Sequence, residues 1–281
     1  MQMGQPSRTA LGAAILRAAH QVVDGASIFA DPLARVLLGD DADTLIAAAA
    51  ADETKQQLRR FIAARSRFAE DALATAVASG VRQAAVIGAG LDTFSLRNPH
   101  EAHGLRVFEA DHPATQAWKR ERIAAAGLTL PASLTFVPVD FERQRLGDAL
   151  AAAGFRPDEP AFFTWLGVVP YLRREAVVAV LTFMASLPGA QVVFDYTEPL
   201  DNYSPARRAN VEALAARTAA IGEPWLSRFD PSDLRRELRS CGFDEIEDVG
   251  VTGIIGRYLG APDGDGASEA GPHVVHARRF A

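Results

Sequence analysis

A single cysteine, Cys241, stands among 281 residues. No intrachain disulfide can form, and such a chain suits a reducing compartment, so a cytoplasmic location is expected. No apolar run approaches the roughly 18 residues that a membrane-spanning helix needs. The opening MQMGQPSRTA lacks a basic segment followed by an apolar one, so no secretory signal is expected. Blocks of Lys and Arg are also missing, and the formal net charge is -6. Such a chain is a poor partner for nucleic acid or a membrane surface. His100 and His103 share a Pro- and Gly-flanked loop, but no Cys or paired carboxylate joins them, and no metal is expected.

What is present is an ordinary globular composition, 48% apolar and 23% charged. The length suits one large α/β domain or one domain with an added cap. Residues 1–80 read as a helical cap. Asp31-Pro32 looks like an N-cap followed by Pro at the first helical position. The clearest helix is 55–79, ending at Gly80. From residue 81 the pattern changes. Strand candidates are 84–88, 105–110, 134–139, 161–166, 190–196, 243–249 and 273–279. Helical candidates between them are 114–126, 143–153, 174–186, 206–221 and 231–240. That alternation predicts an α/β fold with a mostly parallel sheet, covered on both faces. Only the Gly- and Asp-rich loop 260–271 separates the last two strands, so an antiparallel pair is expected at one edge. Residues 199–230 are long for a connection and carry Pro, Trp and Tyr, which predicts a helical insertion over the site.

The first strand runs into Gly88-Ala89-Gly90, a turn that lets backbone approach a ligand. The second ends at Asp111, 21 residues after Gly90 and suited to accept from ribose hydroxyls. Glu109 lies on the same side of the strand and competes for that role. A dinucleotide site would want a third glycine, but Thr93 stands there. The third strand ends in Asp140-Phe141, a carboxylate for an adenine amino group and a ring for the adenine face. A glycine turn, an acid and an Asp-Phe pair fit an adenosine without a pyrophosphate, as in S-adenosylmethionine. The carboxylate of that ligand needs a cation. On 55–79 the apolar stripe is Leu58, Phe61, Ile62, Ala69, Leu73 and Ala76. Arg65 falls within it and Arg67 opposite, so Arg65 is the candidate, with a distant protein partner as its alternative. Asp92, just past the turn, is either a helix N-cap or a partner for the ligand's ammonium.

The runs RSRFAEDAL (65–73), RQAAVIGAGLDTFSLR (82–97), VFEADHPATQAWKRERI (107–123), FVPVDFE (136–142) and GVVPYL (167–172) resemble the leucine carboxyl methyltransferase family. They resemble more closely its bacterial branch with polyketide O-methyltransferases. The likeness covers about residues 10–280. It implies a class I methyltransferase fold, Rossmann-like, with an N-terminal helical cap on an 81–281 core. It implies S-adenosylmethionine held by Arg65 at the carboxylate, Gly88 at the methionine part, Asp111 at the ribose, and Asp140 with Phe141 at the adenine. Many members have Ala-Glu-Gly where this chain has Trp165-Leu166-Gly167, so Leu166 replaces an acid near the methionine end.

The expected activity is methyl transfer to a hydroxyl or carboxylate of a small molecule. A carboxylate needs no base, whereas a phenol or enol benefits from one. Tyr171, Asp195 and Tyr196 are the candidates for catalysis. Tyr203, Trp225 and Phe229 are candidates for an aromatic wall. A nicotinamide-dependent oxidoreductase and a non-catalytic S-adenosylmethionine-binding protein remain as alternatives, the latter resting on Leu166.

Overall fold

Short apolar runs alternating with helical periods fold into one helix-covered sheet, in a computed structural model that describes residues 7–141, 143–260 and 270–280. Among these are seven strands: β1 Gln83–Ile87, β2 Arg106–Asp111, β3 Leu134–Pro138, β4 Phe162–Trp165, β5 Gln191–Thr197, β6 Glu245–Gly250 and β7 Pro272–Arg278. Their order is β3-β2-β1-β4-β5-β7-β6. Strands β1 to β5 pair in parallel, and β7 pairs antiparallel with both β5 and β6. The expected antiparallel edge pair is therefore β6 with β7. Strand order reverses between β1 and β4, so the crevice beyond their carboxyl ends is where such a sheet binds ligands.

The helices are α1 Arg8–Val23, α2 Ala42–Ala50, α3 Gln56–Ala78, α4 Phe94–Arg97, α5 Pro113–Ala125, α6 Leu146–Ala152, α7 Arg174–Ser186, α8 Pro205–Ala220, α9 Pro231–Cys241 and α10 Val251–Leu259. Helix α10 is a correction: β6 and β7 are joined through a helix, not by a loop alone. Its sequence VTGIIGRYL holds two glycines and β-branched residues, which hide a helical period. Gly260 ends it in a left-handed conformation, and residues 261–269 of the expected loop lie outside the described residues. Asp31-Pro32 is a second correction. It opens turns and a short 3-10 helix at Val36–Asp41, not an α-helix.

Strand alternation sends neighbours to opposite layers. Phe163, Trp165 and Phe194 pack with Leu181 of α7 and Leu238 of α9. Phe162 and Val193 pack with Phe68 and Leu73 of α3. The stripe on α3 is buried from Phe61 onward, with Leu58 partly buried, and Arg67 is outside it, paired with Asp71. Helices α1 and α2 form a third apolar cluster that includes Leu91, so the cap packs directly on the loop after β1.

Charge fixes that contact. Arg17 of α1 is buried, with Nε 2.9 Å from Asp31 Oδ2, Nη2 donating to Leu91 O at 2.5 Å, and Nη1 3.5 Å from Asp92 Oδ2. Thr93 Oγ1 donates to Asp31 Oδ2 at 2.7 Å and accepts from Arg97 Nε at 2.9 Å. Arg97 continues to Glu70 of α3, at 2.5 Å. Thr93 thus stands in place of a third glycine because its hydroxyl joins the cap to the turn. Thr93→Val keeps the shape and removes the hydroxyl from one buried and one partly buried bond. We expect a stability loss of about 1–3 kcal/mol by urea unfolding; no loss would show that the Thr93 hydroxyl does not contribute to docking the cap.

His276 of β7 is buried beside Phe162 and Phe68, with Nε2 3.0 Å from Gln191 Oε1. Burial pushes its imidazole down to about 4, and the charge of Arg278 acts in the same direction. Below the ordinary value of 6.5 the unfolded chain takes the proton first. Stability is therefore complete above 6.5 and lost as pH falls toward 4, with a limiting slope of about 1.4 kcal/mol per pH unit. His276→Gln should remove that share of the slope in urea unfolding between pH 4 and 7. An unchanged slope would mean that His276 titrates normally in the fold.

Candidate active site

The turn after β1 is shaped by contacts that only glycine permits. Gly88 has φ +65°, and a Cβ there would come within 2.4 Å of Val168 Cγ2. Gly90 has φ +49°, and its Cβ would lie 2.9 Å from Ala10 Cβ of α1. Both positions need a left-handed backbone and a bare approach. Asp111, at the end of β2, braces the same turn. Its Oδ2 accepts from Gly90 N and its Oδ1 from His112 N, each at 2.6 Å. Burial raises its pKa, and the two amides oppose that shift.

Glu109 lies one pleat back and does not line the cavity. It is 1% exposed, bonded to Ser95 Oγ and to Lys119 Nζ, the latter at 2.6 Å. The ribose role expected at the end of β2 thus has one remaining candidate, Asp111. Asp92 faces the cavity and also caps a turn: its Oδ1 accepts from Phe94 N at 2.8 Å. Burial alone would raise its pKa, but the charges of Arg17 and Lys119 hold it below the ordinary carboxylate value.

Arg65 reaches the cavity beside β4 and β5. Its Nη1 lies 2.6 Å from Asp195 Oδ2, the distant protein partner the sequence left open. Asp195 Oδ1 accepts from Gly167 N at 2.5 Å. A Cβ at Gly167 would lie 2.9 Å from Arg65 Nη2, so the glycine after Leu166 makes room for the guanidinium. Arg65 Nε is buried without a hydrogen-bond partner among the described residues. Leu166 itself lines the cavity.

The three catalytic candidates part company. Asp195 is engaged by Arg65 and Gly167. Tyr196 lines the cavity but is 1% exposed, and its hydroxyl donates to Asp248 Oδ2 at 2.8 Å; burial, then the Asp248 charge, raise its pKa. It is not placed to act as a base. Tyr171 lines the cavity, and burial raises its pKa too, so it stays a phenol. Tyr203 and Trp225 also line the cavity, but Phe229 packs edge-on against Tyr196 in the core and is no part of the wall.

Apart from Glu109 and Phe229, these candidate residues open on one cavity of about 1400 Å³. Asp140 and Phe141 line it beyond β3, and α1, α3 and α8 enclose the rest. The sequence reading missed two residues that build it. Arg17 lies in the apolar run AAILRAAH, the same signal that singled out Arg65. Glu223, after α8, accepts from Arg8 N at 2.9 Å and Thr9 N at 3.0 Å, joining the insertion to the start of α1; nothing local in the sequence points to that contact. Among the described residues no three His, Cys, Asp or Glu side chains are grouped to hold a metal, and no helix is long and apolar enough to cross a membrane.

The sheet order, the glycine turn and the acid after β2 define a class I methyltransferase. The sequence pattern of the leucine carboxyl methyltransferase family matches residues 10–185. YktD of Bacillus subtilis (strain 168), which carries a provisional assignment as an S-adenosyl-L-methionine-dependent methyltransferase, is 32% identical over 99% of both chains. A protein of Mycobacterium sp. (strain JLS) with the same assignment is 31% identical over 71% of this chain and 60% of its own length. In fold, a crystal structure from Thermobifida fusca, described provisionally as a methyltransferase, superposes with a TM-score of 0.61 at 18% identity, covering 100% of this chain and 97% of that one. The chain belongs to the leucine carboxyl methyltransferase family and is an S-adenosylmethionine-dependent methyltransferase. The nicotinamide and non-catalytic alternatives are set aside on that ground.

The residues present fit this cofactor. Each Asp111 oxygen uses one lone pair on a backbone amide and keeps capacity for a ribose hydroxyl. The unpaired Arg65 Nε suits a carboxylate. Arg65→Ala should weaken S-adenosylmethionine at least tenfold in isothermal titration, with the circular dichroism spectrum unchanged. An affinity equal to wild type would leave Arg65 as a partner of Asp195 only.

Proposed function

We propose that this enzyme methylates an oxygen, hydroxyl or carboxylate, of a small and largely apolar molecule in the cytoplasm. The carrying observation is the size and wall of the cavity. Ligand pockets commonly measure about 300–1,000 Å³, and about 1400 Å³ leaves room for a second molecule beside the cofactor. The wall away from the glycine turn carries apolar surface from Leu58, Phe61 and Ile62 on α3 and from Val211 and Leu214 on α8, with Arg217 of α8 among them. The single cysteine supports the location.

S-adenosylmethionine, when bound, supplies an electrophilic methyl on a sulfonium. The chain has to align the attacking oxygen and keep water out. Gly88 and Gly90 set the backbone path at the methionine end, and Asp111 is placed for the ribose hydroxyls. Asp140 and Phe141 are placed for the adenine. Arg65, held by Asp195, supplies a cation for the cofactor's carboxylate. Neither Asp195 nor Tyr196 is free to take a proton, which favours an acceptor that is already ionised. Glu223 holds the insertion against the start of α1 beside the acceptor end.

The test is transfer of a labelled methyl group to a panel of small carboxylic acids, phenols and acidic enols. Label should enter a small product. Methyl esters release it as methanol in alkali, whereas aryl ethers retain it. Label confined to nitrogen or sulfur acceptors, or to protein, would overturn the reading.

A further inference from the structure

Two hydrogen-bond donors face the acceptor end of the cavity without an assigned task. Trp225 Nε1 is buried and has no hydrogen-bond partner among the described residues. Tyr171 lies beside it, with the indole and the Thr9 side chain both within hydrogen-bonding range of its hydroxyl, although the indole N–H is not aligned to make the bond. Both residues line the cavity. A buried N–H left unpaired costs about 1–3 kcal/mol, so a native site that keeps one has a use for it. Tyr171 is held above its ordinary value by burial, so it offers a proton at neutral pH and does not remove one.

The charge around these donors is one-sided. Arg8 and Arg217 line the same end, and neither side chain makes an ion pair or hydrogen bond among the described residues. The other arginines at the cavity each face a carboxylate: Arg17 with Asp92, Arg65 with Asp195, and Arg143 with Asp140. Glu223, the nearby acid, is taken up by the amides of Arg8 and Thr9 and by Ser7 Oγ. Two cations against the one carboxylate of Glu223, whose charge still reaches Tyr171, leave positive charge in surplus at this end.

We infer that Trp225 Nε1–H and Tyr171 Oη–H receive an oxyanion of the methyl acceptor, with Arg217 and Arg8 supplying the attracting field. The acceptor class is an organic acid or acidic enol on an apolar body. In such an anion the charge is shared by two oxygens. One is held by the donors, and the other is free to attack. This rests on reading the cavity as the acceptor site, and it accounts for the lack of a free base there.

The test measures binding, so it stands apart from turnover. Protein saturated with S-adenosylhomocysteine is titrated with benzoate, cyclohexane-1,3-dione and benzyl alcohol. At least one of the two anions should bind tenfold or more tighter than the alcohol, and the stronger one names the source of the oxyanion. Trp225→Phe and Tyr171→Phe should each weaken that anion at least fivefold while S-adenosylhomocysteine affinity stays within twofold. Arg217→Gln, on an exposed position, should weaken it about threefold and flatten its salt dependence. The proposal is overturned if neither anion outbinds the alcohol, or if the variants keep wild-type affinity for it. Failure here with labelled methyl still entering oxygen would sink only this inference. Anion loss in the variants with label on nitrogen would sink only the proposed function.

Discussion

The site depends on one guanidinium buried between two helical layers. Arg17 reaches from the cap to Asp31, Asp92 and the carbonyl of Leu91. A buried charge is tolerated only when its partners are complete, because desolvation outweighs any single pair. Here they come from two places, the loop before α2 and the turn after β1, and neither alone supplies all three contacts. The ion group therefore specifies one docking of cap on sheet, and that docking sets Ala10 against Gly90. The glycine turn is narrow because α1 is there, and α1 is there because Arg17 is paired.

The cofactor end is held in shape by the protein's own groups. Asp111 fixes the amides of Gly90 and His112. Asp195 fixes both Arg65 and the amide of Gly167. In each case a carboxylate spends part of its capacity on backbone and presents the rest to the cavity. Such preorganisation lowers the ordering cost of binding. It also explains why Leu166 is acceptable where the family resemblance predicts an acid. Asp92 and Asp195 already bring negative charge to that end of the cavity, and a third carboxylate would have to be neutralised or desolvated.

The sheet was legible because its strands are short apolar runs with clear ends, and each observed strand lies within two residues of the expected one. Arg65 was legible because a charge on an apolar helical stripe must have a partner. Helix α10 was not, since Gly253 and Gly256 mimic a loop. Glu109 misled because alternation gives a face but not what waits there; Lys119 on α5 claims it first. Thr93 read as a missing glycine, yet its hydroxyl is a structural bond to Asp31. Tertiary ion pairs such as Arg17 with Asp31 or Glu223 with the start of α1 leave no local period, so sequence spacing cannot reveal them.

Asp92 gathers these threads. It caps the backbone at Phe94, as an N-cap would, and the same carboxylate faces both Arg17 and the cavity. The cap and ligand roles are not exclusive, because its two oxygens point to different tasks. Oδ1 is used by the chain. Oδ2 lies 3.5 Å from Arg17, a distance that leaves most of its hydrogen-bonding capacity unused. Arg17 therefore lowers the pKa of Asp92 without saturating it. That keeps a negative charge on the side of the turn that faces the cavity.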